Sequence, residues 1–220
     1  MLAAGLRDLS PDVVAFQEVF ASDGYDQVRE VLGSGYHVFH QRGRDEHGGG
    51  ASIASRWPLE VVREADVQFD KRLYKSGWIG SLAVVEVRVP EPIGPVLLAH
   101  HKPTWQSGAE LEREQQAAAS ARIVEELLAG ADRHVVLAGD FDATPDSASI
   151  RFLTGRQSLD GLSVYYQDAL GGDPRRRAGT HLHARQPLAL RPLETEAGAA
   201  DRLRHGQVRR PRRNARHHEL

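Results

Sequence analysis

The sequence predicts a mixed α/β or α+β sandwich, in which helices cover the faces of β-sheets. Short apolar segments of strand length alternate with helix-like segments through residues 1–170. One longer segment, residues 109–129, has the length and pattern of a helix. The chain has 220 residues, 40% of them hydrophobic, which is enough to bury the core of one good-sized domain.

The predicted strands are short apolar runs, some of which alternate between two faces as a strand does. Residues 81–89 alternate most clearly, with Ala83, Val85, Val87 and Val89 on one face. In chain order, the predicted strands are 13–16, 36–40, 51–54, 59–67, 81–89, 96–99 and 135–139.

Two helices and one further helix start are predicted. Residues 26–32 form the first helix, which ends at Gly33. For the second, residues 109–129, Ser107 and Glu110 have the spacing of a capping box, and a glycine follows its end. Thr144 followed by proline indicates an N-cap and the first helical position of a third.

The composition excludes several classes of protein and site. The chain has no cysteine, which excludes disulfides, thiolate metal sites and cysteine nucleophiles. No apolar run approaches the roughly 18 residues that span a membrane. The N-terminal residues lack the charged and apolar regions of a secretory signal. We therefore expect a cytoplasmic protein, and we predict a monomer.

Charge divides the chain into two parts. Residues 173–220 contain twelve arginines and five acidic residues, a net charge of +7, so residues 1–172 carry −9. Apolar periodicity also ends after Gly179. This pattern predicts a folded domain over residues 1–172 and an arginine-rich, disordered tail over residues 173–220.

Two carboxylates follow the predicted strand 135–139. Asp140 and Asp142 are two residues apart, so they share a face if the chain stays extended. Carboxylates at the end of a buried strand can serve a metal ion or a reacting water. A solvated turn between a strand and a helix explains this motif equally well when it is taken alone.

Four segments together extend this interpretation. They are PDVVAFQEV at 11–19, GGGASIASRWPLE at 48–60, LLAHHKPTW at 97–105 and VVLAGDFDAT at 135–144. In this order they resemble the endonuclease/exonuclease/phosphatase superfamily, over roughly residues 5–172. The resemblance implies a four-layer α/β sandwich of the deoxyribonuclease-I-like type, with its site at one edge of two central sheets. It also implies hydrolysis of a phosphoester that depends on Mg²⁺.

The resemblance assigns roles to individual residues. Glu18 matches the metal-binding glutamate, His101 matches the histidine that contacts the scissile phosphate, and Asp140 matches the aspartate near the attacking water. His100 competes with His101, because a register change of one residue exchanges the two faces of a strand. Asp142 replaces the asparagine of the family pattern and adds negative charge, and a second metal ligand is one role open to it.

Two motifs of the family are missing from this reading frame: an opening strand with an asparagine, and a closing strand followed by Ser-Asp-His. Back-translated one nucleotide out of frame, residues 201–208 can encode Ile-Asp-Tyr-Val-Met-Val-Arg, like that closing strand. The same offset lets residues 179–188 encode a family-like Thr-Phe-Thr segment. We hypothesise that the chain is truncated at its N-terminus and out of frame from about residue 175–180, and so lacks the first and last strands. Resequencing the gene tests this, and an in-frame sequence without a downstream Ser-Asp-His would contradict it.

The sequence thus predicts a hydrolase that uses Mg²⁺ or Mn²⁺ on a phosphodiester or phosphomonoester. Nucleic acid, a phospholipid head group and a small phosphoester all remain open as substrates. We expect impaired turnover, because losing one member of a cooperating site commonly costs orders of magnitude in rate. The alternative is an inactive remnant, or a module whose basic tail binds nucleic acid without cutting it. The acidic charge of residues 1–172 argues against a broad nucleic-acid interface.

Overall fold

Two four-stranded β-sheets stack face to face, and helices cover the outer face of each sheet, in a computed structural model that describes residues 2–74, 79–129 and 133–169. This arrangement confirms the predicted α/β sandwich. The predicted tail, residues 173–220, and the expected closing strand lie outside the described residues. No helix in the described residues is both long enough and apolar enough to cross a membrane.

The first sheet and its helices come from the first quarter of the chain. The elements are α1 (Leu2–Leu9), β1 (Val13–Ser22), β2 (Tyr25–Asp26), α2 (Gln27–Leu32), β3 (His37–His40) and β4 (Gly49–Ser55). The strands lie in the order β2-β1-β4-β3, and every neighbouring pair is antiparallel. Helix α2 ends at Gly33, as predicted.

The second sheet follows. Its elements are β5 (Leu59–Asp66), a 3₁₀ turn (Lys71–Leu73), β6 (Ser81–Val87), β7 (Val96–Lys102), α3 (Glu110–Leu128), β8 (His134–Gly139) and α4 (Ala148–Leu153). The strand order is β5-β6-β7-β8, and only β7 and β8 are parallel among these pairs. Parallel neighbours need a crossover, and α3 supplies it.

The packing clusters identify four layers. Ile53, Val85, Val87 and Leu98 pack between the two sheets. A second cluster joins the outer face of the first sheet to α1 and α2, through residues that include Phe16, Val19 and Val28. A third joins the outer face of the second sheet to α3, through residues that include Leu97, Ala99 and Val124.

The starts of helices α3 and α4 differ from the sequence predictions. Helix α3 begins at Glu110 after Ala109, with no side-chain cap, so the predicted capping box at Ser107 is wrong. Glu110 instead accepts hydrogen bonds from the backbone and hydroxyl of Ser149, near the start of α4. Helix α4 begins at Ala148, three residues beyond the predicted start, because the turn after β8 is longer than expected.

Strands β1 and β7 are longer than predicted. β1 continues through Glu18, and β7 continues through His100 and His101 to Lys102. These side chains therefore lie within strands, where the alternation of faces decides which way each one points.

Gly139 permits β7 and β8 to approach closely where they end. It pairs with His101, and a Cβ built at Gly139 would lie 1.8 Å from the His101 carbonyl oxygen. No side chain fits there unless the backbone moves.

We predict that Gly139→Ala destabilises the fold by about 3 kcal/mol or more, because overpacking of this kind costs about 1–3 kcal/mol even where neighbours can adjust. For a chain of this size, the melting temperature should fall by roughly 6–12 °C. Gly35→Ala is the matched control, since a Cβ there meets nothing within 4 Å. Equal melting temperatures for the two variants would contradict the close approach.

Candidate active site

Gln17 and Glu18 lie in a β-bulge in the middle of β1. Phe16 pairs with Ser52 and Val19 with Gly50, so two residues of β1 oppose one residue of β4. Phe16 and Val19 both pack in the cluster under α2, although three positions separate them. Gln17 points toward the second sheet, since its side chain contacts His100, and Glu18 is exposed at the extra position of the bulge.

Two of the candidate carboxylates are carried by residues with left-handed backbone. Glu18 has φ 56° and Asp142 has φ 46°, in the left-handed region that side chains other than glycine, asparagine and aspartate seldom adopt. Such residues persist where the surrounding structure holds them, and they concentrate at functional sites. Here one stands in the bulge of β1 and the other in the turn after β8.

Gln17 connects the edges of the two sheets. Its Nε2 lies 2.9 Å from His100 Nε2 and donates to the His101 carbonyl oxygen at 3.3 Å. On the other side of the ring, His100 Nδ1 lies 2.7 Å from Nε2 of Gln41. These contacts bring the glutamate-bearing bulge of β1 beside the end of β7.

His100 lies on the face of β7 that looks toward the first sheet, since it contacts Gln17 and follows Leu98 on that face, and Lys102, two residues further on, shares it. Burial lowers the pKa of His100 to about 4, with a smaller contribution from His101. The His100 ring is therefore neutral at pH 7, and each of its nitrogens lies within hydrogen-bonding distance of a glutamine amide nitrogen. Because a neutral ring carries one N–H, the amide that faces this N–H has to present its oxygen instead.

His101 lies on the opposite face of β7, under α3. Its Nδ1 donates to the Ser81 carbonyl oxygen at 2.9 Å, and its ring meets Phe141 edge to face. Nε2 is buried and has no hydrogen-bond partner among the described residues. Burial lowers the pKa of His101 to about 4 as well. The structure thus does not bring His101 to the other candidate residues, because β7 continues through both histidines and His100 takes the inner face.

Lys102 joins the two aspartates. Its Nζ donates to Asp140 Oδ2 at 2.7 Å and also to Asp142 Oδ2. The Lys102 side chain is only 3% exposed, whereas those of Asp140 and Asp142 are 53% and 24% exposed. The expectation that Asp140 and Asp142 converge on one place is met, and the group between them is an ammonium.

This pairing sets the charge states. Burial alone would lower the pKa of Lys102, but the hydrogen bonds and charges of Asp140 and Asp142 outweigh it and raise the pKa. The hydrogen bond from Lys102 holds the pKa of Asp140 below its usual value. Lys102 is therefore protonated and Asp140 ionised at neutral pH.

A metal ion has one clear candidate ligand. Glu18 is an exposed carboxylate, and Mg²⁺ typically binds one or two protein carboxylates while keeping several waters. Within the described ranges, no three His, Cys, Asp or Glu side chains lie close enough together to hold a metal ion. The donor set fits a cation held at Glu18 and largely hydrated.

Sequence analysis missed Gln17, Gln41 and Lys102. The signal for Lys102 was its position two residues after His100, which puts both on one face once β7 extends that far. Gln17 is adjacent to Glu18 in the quoted motif. Its contact with His100 spans 83 positions, and no local pattern indicates it.

Comparisons with known proteins agree with this architecture. The model of the Endonuclease/Exonuclease/phosphatase family matches residues 1–209. The comparison with curated proteins gives no match. Among solved structures, ANGEL2, a 2′,3′-cyclic phosphatase in complex with adenosine-2′,3′-vanadate, is similar at 18% identity and TM-score 0.55. That match covers 70% of this chain and 46% of ANGEL2, so the chain spans about half of that structure.

Two further structures show the same fold. Truncated Caenorhabditis elegans TDP2 has 18% identity and TM-score 0.55, covering 79% of this chain and 64% of that one. The human Nocturnin catalytic domain with bound sulfate anion has 16% identity and TM-score 0.52, and the match covers 77% of this chain and 65% of that one. At these identities the likeness establishes the deoxyribonuclease-I-like sandwich and nothing finer.

The two buried histidines predict acid-sensitive stability. An unfolded histidine has its usual pKa near 6.5, so between pH 6.5 and about 4 the unfolded chain binds more protons than the folded one. The contribution of these neutral rings to the free energy of unfolding is complete above pH 6.5. It is lost progressively as the pH falls toward 4. Melting temperatures of the wild type and His101→Gln across this range measure it. A smaller slope is expected in the variant, and equal slopes would contradict the prediction.

Proposed function

Because the chain belongs to the endonuclease/exonuclease/phosphatase family, we propose that it is a metal-dependent phosphoester hydrolase with its active site at the shared edge of the two sheets. The observation that carries the proposal is the contact of Gln17 with His100 and with the His101 carbonyl oxygen. It joins the bulge of the strand that bears a glutamate to the end of the strand that bears the histidines, beside which two aspartates follow β8. The proposed site consists of Glu18, His100, Lys102, Asp140 and Asp142.

Asp140 is proposed to orient the attacking water. Its carboxylate is half exposed, so water can reach it, and the ammonium of Lys102 keeps it ionised. An ionised carboxylate accepts hydrogen bonds and can hold a water in line with the bond that breaks. Lys102 fixes the position of this carboxylate from the buried side.

Glu18 is proposed to hold Mg²⁺ or Mn²⁺. When bound, such an ion neutralises charge on the non-bridging phosphate oxygens and polarises the phosphoryl group. Glu18 directly follows Gln17, whose side chain contacts His100, so the glutamate belongs to the part of β1 that lies beside the end of β7. Hard oxygen ligands suit either ion.

His100, rather than His101, is proposed to contact the phosphate. A neutral imidazole offers one N–H donor and one acceptor, so only one of the two glutamine amide nitrogens that face the ring can donate to it. A phosphate oxygen would replace one of these amides as the partner of the ring N–H. The geometry favours no single substrate, and a phosphodiester or phosphomonoester of small size is the class proposed.

Hydrolysis of bis-p-nitrophenyl phosphate tests the proposal. Turnover by the wild type should require Mg²⁺ or Mn²⁺ and disappear in EDTA. Asp140→Asn should lower kcat by about 100-fold or more, since a positioned carboxylate contributes about that much. Asp146→Asn, an exposed aspartate in the same turn, should retain wild-type turnover. The proposal fails if the wild type hydrolyses neither this ester nor p-nitrophenyl phosphate, or if both variants are equally active.

The two histidines can be distinguished by parallel substitutions to glutamine. His100→Gln should lower kcat per folded molecule at least about 10-fold, because it removes the ring N–H that is offered to the phosphate. His101→Gln should lower the melting temperature and leave kcat per folded molecule near that of the wild type. The opposite pattern would restore His101 as the phosphate contact.

A further inference from the structure

We infer that the Lys102 ammonium occupies the place of a second divalent cation between Asp140 and Asp142, so that this chain binds one such ion and not two. The inference rests on the proposed function in one respect only, the metal ion at Glu18. It gives Lys102 a defined task, which is to position the two aspartates and to exclude a second cation from them.

The geometry of the pair carries the inference. One nitrogen donates to an oxygen of each aspartate, so the two carboxylates converge on a single point. Mg²⁺ binds carboxylate oxygens at about 2.1 Å. An ion that bridged these oxygens would have to stand where the ammonium stands. The lysine and a bridging cation therefore exclude each other.

Burial makes the lysine hard to displace. Its side chain is 3% exposed and lies on the inner face of β7, beside His100. An ammonium deprived of both carboxylates in that place would be a buried charge without partners, which costs several kcal/mol. A divalent cation would have to overcome this cost in addition to losing part of its own hydration shell.

Glu18 and the two aspartates differ in whether a counter-charge from the chain already occupies them. Glu18 is exposed and forms no ion pair with another described residue, so its carboxylate is open to a cation. The aspartates on the other side already have a counter-charge supplied by the chain. Because Glu18 is accessible and the two aspartates are paired with Lys102, we expect a single ion for each chain.

Counting bound Mn²⁺ by the loss of the free-ion electron paramagnetic resonance signal tests this without any substrate. The wild type should bind one ion per chain, and Lys102→Gln should bind two. The double variant Lys102→Gln with Asp142→Asn should return to one, because the vacated position then has a single carboxylate. Glu18→Gln should remove the ion of the wild type but not the ion gained by Lys102→Gln.

Restoring the charge chemically provides a second comparison. The chain has no cysteine, so Lys102→Cys introduces the only thiol. Alkylation of the unfolded variant with bromoethylamine, followed by refolding, places an ammonium on a side chain of nearly the same length. The untreated variant should bind two ions and the aminoethylated one a single ion, and circular dichroism melts verify that both are folded.

The outcomes separate this inference from the proposed function. Two ions on the wild type, or no additional ion on the folded variants that lack the ammonium, would overturn the inference and leave the hydrolase proposal in place. No ion on the wild type but one on Lys102→Gln would support the inference and contradict the metal ion at Glu18. The number of ions bound by the wild type tests the inference even if every substitution at Lys102 prevents folding.

Discussion

A lysine buried between two sheets stays charged only if carboxylates reach it, and this requirement organises the edge of the sandwich. The inner face of β7 is apolar up to Leu98 and then carries His100 and Lys102. The ends of β7 and β8 supply the partners of the ammonium, because Asp140 follows the strand that pairs with β7. Burial of one cation therefore fixes the positions of both aspartates.

The remaining features of the edge support this arrangement. Gly139 lets the two parallel strands approach each other, and the left-handed backbone at Asp142 turns a second carboxylate back toward Lys102. An aspartate at this position, where the family pattern has asparagine, is balanced by the charge of the lysine. Gln17 and Gln41 satisfy the other buried polar ring, that of His100, and they join the two sheets in doing so.

Much of the fold follows from local sequence, while the site follows from it only in part. Four motifs and the alternation of apolar residues predict the strands, since burial of one or both faces requires that pattern. The choice between His100 and His101 depends on where β7 ends, and a single register step reverses it. Contacts such as that of Gln17 with His100 join distant segments, and the cap of α3 is replaced by a contact of Glu110 with Ser149. No pattern within one element predicts these.

The measurement that tests this account most directly is a double-mutant cycle on stability, using Lys102→Met and Asp142→Asn in urea denaturation. If the ammonium depends on the carboxylates, Asp142→Asn should lower the free energy of unfolding by about 1–3 kcal/mol, because it leaves the buried ammonium without one of its two counter-charges. The double variant should recover part of this loss, with a coupling energy of about 1–3 kcal/mol. Additive effects, within about 0.5 kcal/mol, would show that the two residues are independent and would contradict the account.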